Sequence, residues 1–465
     1  MKQSNLIAML ILAIAASASA QNMIEKSTPP KNAEGAKEIS FAQKNDIADG
    51  VFVLKNARVI DGTGRGVKID QTIVIKNGKI LAIGDSSQVS GPAGAKIIDL
   101  SGHTVFPGLV MMHEHFEYRQ GNDFSHAQPV SYPRLFLAFG VTTVRTAGTD
   151  HPYVNINLKR AIDEGRVPGP EMHLTSPYVN GEGERFNRNT FLGDVKVRTP
   201  EDARRVVQYW AAEGMTSFKA YAGIPKPALA ALIEEAHRLK LTVTAHLGSV
   251  SCSEAADLAI DNIEHGFLCG RDLVDSTGKE IQGPEHPTLK LLIKKLVDAK
   301  VALTITPNSR YKPFSPLEFE VMHPHVREIY QKMKPEDTYL TGPPSFTRAR
   351  AFVNAGGVLL LGSDAAGQGR IAGFTNLRII ETLVSGGFTL EEAIKIATLN
   401  GATFLRIQAR TGSVAAGKEA DLFIVKGDPL KRIEDIHNVE MVFSNGIFYD
   451  PKVLIAAAKG LVGWQ

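Results

Sequence analysis

Short β-branched runs separated by turn residues open the patterned part of the chain, at residues 51–54, 57–60, 72–75, 79–83 and 96–100, with Asp61-Gly62 and Asn77-Gly78 between them. Runs of this length bounded by such turns predict antiparallel strands. Residues 420–426 and 439–449 repeat the texture near the other end. The two ends are therefore expected to complete one small β-sandwich, from residues 50–106 and from 408–465 with a C-terminal tail.

Between them the period changes. Apolar stretches at 105–112, 141–146, 172–178, 216–221, 241–246, 262–267, 301–307 and 358–362 alternate with helical patterns that include 203–213, 226–239, 253–259, 289–299, 346–355 and 390–397. A β-then-α rhythm builds a parallel sheet. Eight such units predict an α/β fold, a (β/α)8 TIM-like barrel spanning 107–407. The connection from 307 to 356 exceeds one helix and carries Pro313, Pro316, Pro324, Pro335, Pro343 and Pro344. Loops of that kind act as lids over a barrel face.

The N-terminus reads differently. Lys2, an apolar run over 6–16 and the small-x-small triplet Ala18-Ser19-Ala20 form an export signal with cleavage before Gln21. The run is shorter than the roughly 20 residues a membrane span requires, so no stable membrane anchor is expected. No cysteine stands near the cleavage point to carry a lipid, and a periplasmic or secreted product follows. Residues 21–49 lack apolar periodicity and read as a flexible leader.

Composition narrows the partners. With 43% hydrophobic and 22% charged residues and a formal charge of +3, the chain is globular and has no basic excess for nucleic acid. A small-molecule substrate is the expected partner, with homo-oligomerisation left open. Cys252 and Cys269 are the two cysteines. They permit one disulfide, and the sequence does not decide whether they pair.

Candidate chemistry lies at the strand ends. In His113-Glu114-His115 the imidazoles are two residues apart on the first strand, so its period turns both to one side. Such a pair can grip a metal ion, although alone it is weak evidence. His246 ends the fifth strand, His265 the sixth, and Asp364 follows the eighth. All fall on the C-terminal face, where barrel enzymes gather ligands from several strands. A second His-x-His, His323-Pro324-His325, sits in the proline-broken loop and reads as a lid feature.

Lys219 ends the fourth strand, where its charge would oppose neighbouring metal ions. The conflict disappears when its amine has reacted with carbon dioxide, because the resulting carbamate is anionic and can bridge two ions. A lysine paired with a carboxylate is the plain alternative.

This set, from Phe106-Pro107-Gly108 through His115, with Lys219, His246, His265 and Gly362-Ser363-Asp364, resembles the metal-dependent amidohydrolase superfamily. Residues 412–422 resemble its recurrent C-terminal signature, and the likeness runs from about residue 51 to 450. Within the superfamily the chain looks most like the imidazolonepropionase-like and Xaa-Pro dipeptidase-like branch. The resemblance implies that His113, His115 and Asp364 hold one metal, that His246 and His265 hold a second, and that carbamylated Lys219 bridges them. Two Zn2+ per chain suit these donors, with Mn, Fe or Co also accommodated. A metal-bridging hydroxide would then hydrolyse a C–N bond of an amide, dipeptide or N-acyl amino acid, with Asp364 as the catalytic proton acceptor.

Tyr221, Tyr178 and Arg145 are the candidate substrate contacts. Arg145 has pairing with a structural carboxylate as its commoner fate, and Tyr221 is as readily an aromatic packed under a loop. The loop from Ser176 to Arg185 is expected to shape specificity. Two other classes stay open: a hydrolase of cyclic amides or lactones or a ring deaminase, and a non-catalytic protein that binds metal or ligand without turnover.

Overall fold

The computed structural model describes residues 50–463 except 121–124, 183–193, 276, 282, 308–312, 333–345 and 368. The export signal, the leader and Glu184 and Arg185 lie outside the described residues.

Both chain ends meet in one mixed sheet. Its path runs Ile447–Tyr449, Val439–Ser444, Leu422–Lys426, His103–Pro107, Phe52–Ile60, Val67–Lys76, Lys79–Asp85, with Lys96–Asp99 also paired to Phe52–Ile60. The seam is the antiparallel ladder that sets Leu422 opposite Pro107 and Lys426 opposite His103. Phe52, Leu54, Ile73, Ile75, Val105, Leu422, Ile424 and Phe443 bury their side chains in a core of their own. Such alternating apolar positions drive the two ends together because neither end alone can remove its apolar face from water.

The middle of the chain forms parallel strands with helices between them. We number them β1 (Leu109–Glu114), β2 (Val141–Thr146), β3 (Glu171–His173 continued by Thr175–Asn180), β4 (Ser217–Ala220), β5 (Thr242–Ala245), β6 (Asn262–Glu264), β7 (Ala302–Ile305) and β8 (Leu359–Leu361). β1, β2 and the first part of β3 make one sheet, and the rest of β3 runs through to β8 in another. Every neighbouring pair among them is parallel. The last strand returns to the first, where the Asp364 amide donates to the His113 carbonyl at 3.0 Å.

Sequence signals set the helices. Thr199 caps Pro200–Ala212 with Asp202 returning the bond, and Ser251 with Glu254 and Thr389 with Glu392 do the same for Cys252–Asp257 and Leu390–Ala397. Each reciprocal box satisfies two backbone N–H groups that the first helical turn leaves open. The 307–356 connection contains helices Pro316–Val321 and Pro324–Lys332. Helices Ser131–Ala138, Pro152–Asp163 and Phe374–Ser385 complete the alternation at places the apolar pattern had not marked. Among the described residues no helix is long and apolar enough to cross a membrane.

Candidate metal centre

The strand ends bring the expected ligands together. Ligand atoms of His113, His115 and Asp364 lie within 4.8 Å of one another. Asp364 Oδ1 stands 3.5 Å from His113 Nε2 and 3.3 Å from His115 Nε2. The His265 ring lies 4.8 Å from that of His113 and 4.6 Å from that of His246, centre to centre. All four imidazoles therefore share one face of the fold, whereas His323 and His325 lie in the 307–356 connection.

Two of the candidate ligands depend on a local break in the strand period. Were β6 to continue, His265 would point away from Glu264, on the opposite face. Its φ of 61° turns the chain, as a φ of 50° does at Asp364. Left-handed backbone of this kind costs a residue other than glycine of the order of 1 kcal/mol and gathers at functional sites.

The far nitrogens of His113 and His265 are hydrogen-bonded, while that of His115 has a carboxylate within ion-pair range only. His113 Nδ1 lies 2.7 Å from Glu264 Oε2, His115 Nδ1 lies 3.4 Å from Glu117 Oε1, and His265 Nδ1 lies 2.8 Å from Thr306 Oγ1. The hydrogen bonds on His113 and His265 fix those rings and leave Nε2 as the donor atom for a cation. Burial works against a proton on His115, yet Asp364 and Glu117 outweigh it and push its pKa to about 10. Burial would likewise raise the Asp364 carboxyl, but Arg370 and the two histidines hold it well below the usual carboxylate range. His246 is pushed down to about 4 by burial and then by Lys219 and His113.

Lys219 is the anomaly of the site. It is 1% exposed, and its Nζ has no hydrogen-bond partner among the described residues. Glu264 Oε1 is 3.8 Å away, inside ion-pair range and beyond hydrogen-bond reach. Burial lowers its pKa to about 8 even with Glu264 alongside. Gly148, at φ +96°, makes its place: a Cβ there would stand 2.6 Å from the Tyr178 ring and 3.1 Å from Lys219 Cγ. An orphaned buried amine, inward imidazole nitrogens and a carboxylate held ionised form a donor set that suits divalent cations.

Tyr221 and Tyr178 stand beside these groups. Tyr221 lies 4.9 Å from His246 and 5.2 Å from Tyr178, ring to ring, and burial raises both phenols. Arg145 takes the structural pairing that is the commoner fate of such an arginine. It is fully buried and donates to the Met112 carbonyl at 2.6 Å and to Glu264 at 2.5 Å. Met112 and Glu264 take its Nε and Nη2, and its Nη1 is buried without a hydrogen-bond partner among the described residues.

Glu264 was missed by sequence reasoning. Its fully buried carboxylate receives His113, Arg145 and Thr244 and faces Lys219. The available signal was its place two residues after Asn262 on the same strand, which puts both on the interior face. Asn262 there donates to Thr244 and accepts from Thr304. Glu117 and Arg370 were also missed. Arg370 Nη1 donates to Asp364 Oδ2 at 2.6 Å, and no motif marked it. The open question of the cysteines is answered by a Cys252–Cys269 disulfide with Cα atoms 5.1 Å apart, joining the segments that follow His246 and His265.

The chain is 33% identical over 185 residues to an enamidase of Eubacterium barkeri, a match covering 34% of this chain and 46% of that protein. It is 24% identical over 407 residues to an adenine deaminase of Lactobacillus delbrueckii subsp. bulgaricus, covering 86% and 60%. The chain thus spans less than two thirds of the length of these curated relatives. A crystal structure of a Xaa-Pro dipeptidase with bound methionine superposes with a TM-score of 0.64 at 21% identity, covering 86% of this chain and 100% of that one, which speaks to fold alone. The amidohydrolase family model matches residues 104–448, which include every strand-end candidate ligand described above, and the chain belongs to the amidohydrolase family.

Proposed function

We propose that the chain is an exported, metal-dependent amidohydrolase that hydrolyses a C–N bond in an amide, a dipeptide or an N-acyl amino acid. The observation that carries this reading is the convergence of His113 Nε2, His115 Nε2 and Asp364 Oδ1 beside an orphaned, buried Lys219 Nζ. In this reading the eight parallel strands close into a (β/α)8 barrel, and the sheet from both chain ends folds as a separate β-sandwich.

His113, His115 and Asp364 would hold one ion and His246 and His265 a second, with Lys219, carboxylated on Nζ, between them. Zinc suits these donors best, and manganese, iron or cobalt would also be accepted. Such ions, when bound, lower the pKa of a shared water and polarise a carbonyl. The protein's own part is placement and proton transfer. Asp364, kept ionised by Arg370, takes the proton released as water adds to the acyl carbon. It returns that proton to the nitrogen as the C–N bond breaks, so an acid and an amine leave. Glu264 fixes the His113 ring, and Tyr178 and Tyr221 form a wall for the substrate. Export is supported by the buried disulfide, since such bonds persist in oxidising compartments.

Ring deamination is the second reading, favoured by the adenine deaminase match over 86% of the chain. The deciding experiment is turnover of dipeptides, N-acyl amino acids, lactams and adenine by protein folded with zinc and bicarbonate. Asp364→Asn should lower kcat by about 10³-fold with the circular dichroism spectrum unchanged. Adenine as the sole substrate would replace the first reading by the second, and no turnover across the panel would remove both.

A further inference from the structure

Three arginines near the strand ends differ in their commitments. Arg145 is fully buried beneath the site and spent on Met112 and Glu264. Arg119 is paired with Asp150 at 3.2 Å. Arg370 is different, being 22% exposed in its side chain and bonded through Nη1 to Asp364 Oδ2. Its Nε and Nη2 make no further hydrogen bond among the described residues.

That position is close to the chemistry and accessible. Asp364 turns one oxygen to Arg370 and the other to the Nε2 atoms of His113 and His115. The guanidinium therefore stands one carboxylate's width from the nitrogens that face the reacting centre. The loop carrying it is pinned. Arg119 N donates to the Ala366 carbonyl at 3.1 Å, Arg370 N donates to the Gly367 carbonyl at 3.1 Å, and a Cβ on Gly367 would stand 1.9 Å from the Arg119 carbonyl oxygen. A planar fork with unused donors, held in place and partly desolvated, is the arrangement that takes a carboxylate.

We propose that Arg370 reads a carboxylate on the substrate, through the guanidinium N–H groups that Asp364 does not use. The substrate class is then an N-acylated α-amino acid or a dipeptide with a free C-terminus. Only the amide nitrogen and Cα separate the acyl carbon from the carboxylate carbon in these compounds. A carbonyl placed at the histidine and aspartate cluster thus brings its own carboxylate into the neighbourhood of Arg370. Lys219 cannot serve this end, because it is buried behind the ligands. The assignment rests on the hydrolytic reading above for the identity of the bond cleaved.

The test is calorimetric binding and turnover of N-acetyl-L-amino acids against their matched C-terminal amides, on the metal-loaded full chain. Wild type should favour the acids by about 100-fold. Arg370→Met should lower turnover of acids and amides alike through Asp364 and, beyond that shared loss, should cut the acid-over-amide preference in binding and in kcat/KM from about 100-fold to near 1, with Arg370→Lys recovering part of the preference. Equal use of acid and amide by wild type, an equal loss on both in Arg370→Met, or no binding of any acid would overturn the assignment. Tight, Arg370-dependent binding of acids without cleavage would support Arg370 as the carboxylate reader and sink the hydrolytic reading instead.

Discussion

Glu264 at the strand ends and Asp421 at the seam between the chain ends are both buried carboxylates inside family-like motifs, and they do opposite things. Glu264 is surrounded by cations or potential cations: His113, Arg145 and Lys219. Burial alone would raise its pKa, but Lys219, Arg145 and His113 hold it well below the usual carboxylate range. Asp421 accepts from neutral donors, Thr411 Oγ1 at 2.6 Å and the Asn445 amide at 2.8 Å, and burial pushes it up to about 6. A carboxylate among cations stays charged and can organise a reactive centre. One among hydroxyl and amide donors is a joint that ties strands together.

Removing the two carboxylates separates these roles. In the metal-free protein with Lys219 unmodified, Glu264→Ala leaves Arg145 and Lys219 buried without their counter-charge and should cost about 3–5 kcal/mol in urea unfolding. It should also weaken metal binding by roughly 10–100-fold in a chelator competition, through loss of the His113 holder. A variant that keeps both stability and metal affinity would erase the distinction. The disulfide comes next. Cys252 and Cys269 close a loop of sequence separation 17, so replacing both by serine should cost about 3 kcal/mol, read from the unfolding midpoint with and without reductant.

The smallest effect belongs to the seam. Asp421 has a folded pKa of about 6 against 3.8 for its ordinary value, so the folded state binds its proton more tightly than the unfolded chain does. Its contribution is therefore full below about pH 4 and is lost as the pH rises through about 6. Asp421→Asn should flatten that part of the stability curve while leaving kcat unchanged. A variant that keeps the wild-type slope, or loses turnover, would place Asp421 outside the joint assigned to it.

The candidate ligands at the strand ends were legible because strand periodicity and strand-end position are local properties. His113, His115, His246 and Asp364 each close a readable apolar run. His265 was named for the same reason, although its place beside His113 and His246 depends on a left-handed turn that periodicity does not encode. Arg145 was half legible, since the strand showed that it faced the interior but not that Glu264, 119 residues on, would claim it. Glu264 and Arg370 act through partners on other elements, and such pairings appear only once the chain is folded. The signature at 412–422 was recognised as a motif, while its physical job at the seam needed the Thr411 and Asn445 contacts.

The central claim concerns Lys219, and metal stoichiometry tests it most directly. Protein folded with zinc and bicarbonate should carry about two ions per chain, and Lys219→Ala should carry fewer. One ion in both proteins, or none in either, would contradict a lysine-bridged metal centre at the strand ends.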